Sequence, residues 1–286
     1  MVDRLLSRRY PAKVLLFGEY SVLIGGQAIA TPYPYYSGRW IRDQVSSFDK
    51  YPWFRDWVEY LTTQCQFLDV RRLSGSPNQI SLQAEIPQGC GLGSSGVLTA
   101  AVYDWLCTDE TKDLSELARR LGLMESFFHG RSSGLDPMVS FLNTPVVKHS
   151  DCSYGRANEI HDIGCHVYLL DSGVLRSGKE FIQTFLGQAA LDPESYGGYK
   201  SLSNVLVQSI RDKLQLNFDD VVQLSEFQYE LFRPMIIPEL QAPWQVGLEG
   251  GEYAIKLCGA GGGGYYLVFS KEARTSLMGY TLYTVI

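Results

Sequence analysis

Pro87-Gln88-Gly89-Cys90-Gly91-Leu92-Gly93-Ser94-Ser95-Gly96 separates two stretches of different hydrophobic period. Before it, Ile80, Leu82, Ala84 and Ile86 alternate with Ser81, Gln83 and Glu85. That period of two predicts a strand with one wet face, as in an antiparallel sheet. After it, Ser95 to Leu106 is Ala-rich and apolar and predicts a buried helix. A glycine-rich turn that opens a helix lets backbone N–H groups converge on an anion, assisted by the helix dipole. The candidate phosphate-binding residues are therefore Gly89, Gly91, Leu92, Gly93, Ser94, Ser95 and Gly96. A serine hydroxyl at such a place can also bind Mg²⁺, which prefers oxygen ligands and substrate phosphates. No Lys follows the glycines, so the Walker pattern fails. Gly91 to Gly96 formally matches the dinucleotide pattern G-x-G-x-x-G, but the strand before it alternates and does not open a βαβ unit. On the loop alone, a dinucleotide site and a ligand-free turn both stay open.

Working outward, Val14 to Phe17 reads as a buried strand, and Ala28 to Ala30 leads into the Pro- and Tyr-rich segment Thr31 to Tyr36. Helical spacing runs over Asp49 to Phe67 and again over Leu114 to Leu123, where Leu114, Leu117, Ala118 and Leu121 share a face. A polar turn, His129 to Gly134, precedes Leu135 to Leu142. Val167 to Leu170 predicts a strand opening a second half, followed by helices near Lys179 to Leu186, Tyr199 to Leu214 and Val221 to Leu231. The chain closes with Ala254 to Leu257, the run Gly259 to Gly264, a strand from Tyr265 to Phe269, a short helix and a strand from Tyr280 to Val285. This order predicts an α+β fold with two halves, 1–165 and 166–286.

Composition narrows the class. The 286 residues are 45% hydrophobic and 20% charged with a formal charge of -6, which suits a globular enzyme and argues against a nucleic-acid partner. No stretch approaches the roughly twenty apolar residues of a membrane span. Pro11 to Tyr20 is too short and too interrupted for a secretory leader. The six cysteines are scattered without a CxxC pair, as free thiols in a reducing cytoplasm would be. The expectation is a cytoplasmic protein, monomer or homodimer, with neither a membrane nor a nucleic-acid partner.

Three segments in order carry a resemblance to the GHMP kinases. Pro87 to Ser95 reproduces their second motif, P-x-x-x-G-L-G-S-S; Pro11 to Ala30 is similar to the first, P-x-K-x-x-x-x-G-E; Lys256 to Gly264 is similar to the third, K-x-x-G-A-G-x-G-G. The resemblance implies a two-domain α+β fold, with a ribosomal protein S5 domain 2-like N-terminal domain and a ferredoxin-like C-terminal domain. It also implies ATP as phosphoryl donor, Mg²⁺ as cofactor and a small-molecule alcohol as acceptor. Within the family, His129, Gly130, Ser133, Gly134 and Asp136 match the H-G-x-x-S-G-x-D of mevalonate kinases, so mevalonate is the favoured acceptor.

Residue by residue, the resemblance makes Asp136 the proposed base and sets Lys13 beside it. It gives Mg²⁺ to Ser95 and Glu125, brings Ala260 and Gly261 nearest the phosphate loop, and puts Glu19 and Tyr20 by the acceptor pocket. Read without it, Asp136 before Pro137 is an ordinary turn or cap residue, Lys13 a solvated strand end and Glu125 a helix-surface acid. Tyr20 departs from the usual His of mevalonate kinases, and Gly-Glu-Tyr also occurs in phosphomevalonate kinases. Phosphomevalonate, homoserine and sugars therefore remain alternative acceptors, as does a non-catalytic ligand sensor on the same fold.

Overall fold

The computed structural model describes residues 2–43, 51–74, 80–87, 89–176 and 181–286. The expected helix over Asp49 to Phe67 is observed as Pro52–Gln64, while its first two residues lie outside the described set, as do Gln88 of the loop and Lys179.

Two antiparallel sheets organise the chain. In the first, β1 (Arg9–Phe17) pairs with β2 (Ala28–Arg42), whose opposite edge takes β3 (Ile80–Ala84) at one end and β4 (Val146–Lys148) at the other, with β5 (Tyr154–Arg156) outermost. The Pro- and Tyr-rich segment does not end β2, as its two prolines suggest it should. β3 pairs from Gly38 onward and β4 only up to Ala30, so no described strand takes the N–H groups of the intervening residues on that edge. On the β1 side the register jumps between Pro11 and Ala12, leaving Pro34 to Tyr36 in a bulge. Proline is tolerated where a ladder N–H is not needed or where the strand bulges.

The second sheet has the order β7-β8-β6-β10-β9, built from β6 (His166–Asp171), β7 (Tyr253–Leu257), β8 (Tyr265–Ser270), β9 (Ser276–Leu277) and β10 (Tyr280–Thr284). Without the two-residue β9 this is the ferredoxin-like order. The expected short helix before β10 is absent; β9 and a tight turn occupy that stretch, pairing Tyr280 with Leu277. Long helices at Pro193–Lys213, Phe218–Leu231 and Pro238–Gly250 complete this half. The last escaped prediction because Pro243 interrupts its pattern. One apolar core runs through both sheets, and Phe17 of β1 stacks on Phe269 of β8 at 5.4 Å. No described helix is long and apolar enough to cross a membrane.

Two close approaches position the site. The helix Ser94–Leu106 packs against β1, β2 and the helix Leu135–Leu142. At their crossing a Cβ on Gly96 would lie 2.9 Å from the backbone nitrogen of Pro137, so only glycine lets the two helices approach this closely. Gly93, which caps the first helix in the left-handed region (φ 78°), faces Lys13: a Cβ there would sit 3.0 Å from Cγ of Lys13. Gly93 and Gly96 of the loop thus serve packing.

Candidate active site

Lys13 lies mid-strand on β1, and its backbone N–H donates to the Leu92 carbonyl (3.0 Å), which fastens the strand to the glycine loop. Its ammonium is buried and reaches Asp136 Oδ2 at 2.9 Å. Burial alone lowers a lysine pKa; here the Asp136 carboxylate outweighs it and the net direction is upward, so Lys13 stays a cation. Asp136 stands in the first turn of Leu135–Leu142, where the helix dipole favours an anion, and its side chain stays about one-third exposed. A carboxylate open to the site and fixed by a buried cation is arranged to take or orient a proton.

Glu125 projects from the helix Leu114–His129, which Asp113 caps through the N–H groups of Ser115 and Glu116. The Glu125 carboxylate is buried. Ser95 Oγ donates to its Oε1 (2.9 Å) and Ser132 Oγ to its Oε2 (2.5 Å). Burial, helped by the nearby Asp136 charge, pushes the Glu125 pKa up to about 7 against the partial relief from those hydroxyls. No described ion pair neutralises Glu125. An all-oxygen pair, Ser95 and Glu125, at the end of the glycine loop suits a hard divalent cation.

The raised Glu125 pKa has a defined sign in stability. The protonated acid is favoured in the folded state, so this stabilisation is complete below 4.5 and is lost as pH rises through about 7. Glu125→Gln, which keeps the shape and hydrogen bonding of the neutral acid, should leave stability at pH 5 nearly unchanged. At pH 8, without metal or nucleotide, it should stabilise the protein by about 3 kcal/mol. Denaturant unfolding at the two pH values reads this out; equal effects at both would contradict it.

Beside the loop a cavity of about 430 Å³ opens, walled by Trp53, Phe54, Leu82, Leu98, Phe128 and His129 and reaching Gly89, Ser94 and Ser95. Its flat apolar walls suit a heteroaromatic ring, and its floor is the start of the phosphate-loop helix.

The C-terminal glycine run does abut the loop, through residues other than those expected. A Cβ on Gly91 would lie 3.0 Å from the Cys258 carbonyl oxygen, a Cβ on Gly264 would lie 2.9 Å from that of Cys90, and Tyr265 N–H donates to the Cys90 oxygen (3.2 Å). Ala260 instead accepts from the Tyr20 hydroxyl (2.6 Å), and Gly261 sits against Met235. Among the described residues, Cys258, Gly264 and Tyr265 meet the loop, while Ala260 and Gly261 contact Tyr20 and Met235.

Glu19 and Tyr20, expected by the acceptor pocket, are both buried. Glu19 is fully enclosed, its Oε1 paired with Lys256 Nζ at 2.5 Å. Its backbone carbonyl accepts from the Tyr199 hydroxyl (2.7 Å). Tyr20 adopts φ 59° and buries its ring against Phe185 and Phe232. Both residues join the two halves of the chain behind the site, because an apolar and ion-paired seam forms there.

Arg176, after β6, was missed. Its guanidinium lies 3.3 Å from where a side chain on Gly91 or on Gly259 would begin, which adds a second cation in front of the loop. Nothing in Val174-Leu-Arg176 marks this locally, since only the packing of the two halves brings Arg176 to the loop.

The chain is similar to several known proteins. Residues 61–144 match the family described as GHMP kinases N terminal domain. A mevalonate kinase of Archaeoglobus fulgidus is 28% identical over 144 residues, 46% of this chain and 48% of that protein, so the match spans about half of that relative. A mevalonate kinase of Thermococcus sibiricus is 21% identical across 93% of this chain and 90% of its own. Among solved structures, Streptococcus pneumoniae phosphomevalonate kinase in complex with phosphomevalonate and AMPPNP superposes with TM-score 0.64 at 15% identity, covering 93% of this chain and 92% of that one. In its ordered motifs, its matched segment and its fold, the chain is similar to the GHMP kinases.

Proposed function

We propose that this chain transfers the γ-phosphoryl group of ATP to the 5-hydroxyl of mevalonate, with residues 1–165 holding the donor and residues 166–286 closing over it. The observation that carries this reading is the Lys13–Asp136 pair at 2.9 Å, set beside the loop that cradles the phosphates. The relatives named mevalonate kinase support the choice of acceptor.

Phosphoryl transfer needs positioning, charge neutralisation and a group to manage the acceptor proton. The acceptor oxygen bonds to the γ-phosphorus as the bond from that phosphorus to the ADP oxygen breaks, and the hydroxyl proton passes toward Asp136. Lys13 fixes the Asp136 carboxylate in place and stabilises negative charge developing on the acceptor oxygen. The backbone of Gly89 to Ser95 receives the donor phosphates, and the aromatic cavity at Trp53 and Phe128 receives the base. When bound, Mg²⁺ would neutralise phosphate oxygens, held by Ser95 and Glu125. Arg176 gives the acceptor's carboxylate a partner in front of the loop.

A second reading, phosphomevalonate as acceptor, is favoured by Gly18-Glu19-Tyr20 and by the extra cation Arg176. ADP release measured with mevalonate, phosphomevalonate, homoserine and galactose distinguishes the two. Turnover with mevalonate at kcat/KM at least about 100-fold above the others is expected. Preference for phosphomevalonate would replace the acceptor, and ATP binding without turnover on any of them would leave a ligand sensor.

A further inference from the structure

The hydroxyl of Ser95 touches two groups. One is Glu125 Oε1 at 2.9 Å; the other is Nε2 of His129, also at 2.9 Å. His129 is the last residue of its helix, and Gly130 (φ 75°) turns the chain away immediately after it, so the imidazole is left facing the start of the helix Ser94–Leu106. A serine hydroxyl has one proton and two lone pairs. With Glu125 ionised, as a cation ligand must be, the Ser95 proton goes to Glu125, which can only accept. His129 must then donate Nε2–H to Ser95, filling one lone pair. One lone pair remains, on the oxygen that stands beside the phosphate cradle.

We propose that His129 is a positioning residue: its Nε2–H fixes the rotor of the Ser95 hydroxyl so that the remaining lone pair is presented to the nucleotide-bound divalent cation. This rests on the phosphoryl-transfer reading and deepens it. The alternative use of the same side chain is as a plain wall of the aromatic cavity, which His129 also lines. The two roles separate by experiment. A wall residue sets the affinity for the nucleotide whether or not metal is present. A residue that orients Ser95 sets the metal dependence of that affinity far more than the metal-free affinity.

Partners of metal ligands are worth about 10–100-fold in metal affinity. His129→Leu should therefore raise the Mg²⁺ concentration at half-effect by about 10–100-fold when ATP binding is followed by intrinsic tryptophan fluorescence, to which Trp53 in the cavity reports. ATP affinity in EDTA should fall by no more than about 3-fold, the share of one side chain in the cavity wall. His129→Gln, whose amide can donate from a similar position, should return the Mg²⁺ midpoint to within a few-fold of the parent. Thermal melts of both variants check folding independently of the ligand. An unchanged Mg²⁺ midpoint in His129→Leu overturns the proposal. So does an equal loss of ATP affinity with and without Mg²⁺, which assigns His129 to the cavity wall. A parent protein that binds no ATP at any Mg²⁺ concentration overturns the underlying phosphoryl-transfer reading, a result distinct from both.

Discussion

Asp136→Asn should lower kcat by about 10²–10⁴-fold while the Kd for Mg²⁺·ATP stays within about 2-fold of the parent value. The substitution is nearly isosteric and leaves Asp136's place in the first turn of Leu135–Leu142 intact. What it removes is the negative charge facing Lys13 Nζ at 2.9 Å and the acceptor for the hydroxyl proton. The phosphate cradle, the aromatic cavity and the Ser95–Glu125 pair are untouched, so donor binding should survive. Loss of the partner also leaves Lys13 buried and unpaired, and its pKa should then fall, because burial is the largest influence on it and acts downward. Single-turnover rates with saturating ATP, beside nucleotide titrations, separate the two effects. A variant that turns over normally removes Asp136 from the chemistry.

Lys256→Met should destabilise the fold by about 3–5 kcal/mol, because it strands the Glu19 carboxylate without a counter-charge in a fully enclosed place. The Lys256 ammonium serves three partners: Glu19 Oε1, the Leu257 carbonyl at 2.7 Å and the face of Phe17 at 5.5 Å. Among the described residues the second Glu19 oxygen has no hydrogen-bond partner, and Lys256 is the largest source of compensation for the carboxylate's charge, ahead of a backbone hydrogen bond and the more distant Lys13. Burial already pushes the Glu19 pKa upward despite that lysine. The double variant Glu19→Gln/Lys256→Met should recover most of the loss, since replacing both ions with neutral groups removes the unpaired charge. Denaturant unfolding of the two single variants and the double gives the coupling. Additive losses would show that the pair does not act as a unit.

The fold was legible where a local pattern dictates it. A strand, the glycine loop and an apolar helix stand in the structure in that order, but the strand covers only Ile80–Ala84 and its burial does not alternate, Ser81 being buried and Ala84 exposed. β2 was read only to Ala30, since the permission for Pro32 and Pro34 comes from which edges β3 and β4 leave open, a property of the sheet and not of the segment. The site divides in the same way. Lys13, Asp136, Ser95 and Glu125 were picked by motif, and the fold brings them together. Glu19 and Tyr20 carry the same motif logic, yet packing encloses them with Lys256, Phe185 and Phe232. Arg176 and Ser132 have no motif strong enough to notice; they reach the site through the junction of the two halves and the turn after Gly130.

The loop, the Lys13–Asp136 pair and the Ser95–Glu125 pair support one proposed reaction, phosphoryl transfer from ATP to the alcohol of mevalonate. Phosphorus NMR of purified protein with ATP, Mg²⁺ and mevalonate tests it most directly. The account predicts that the γ-phosphate resonance falls as ADP and a new phosphomonoester resonance rise together, in equal amounts and only when mevalonate is present. ATP that stays intact, or ADP that appears with inorganic phosphate in place of the phosphomonoester, would contradict it.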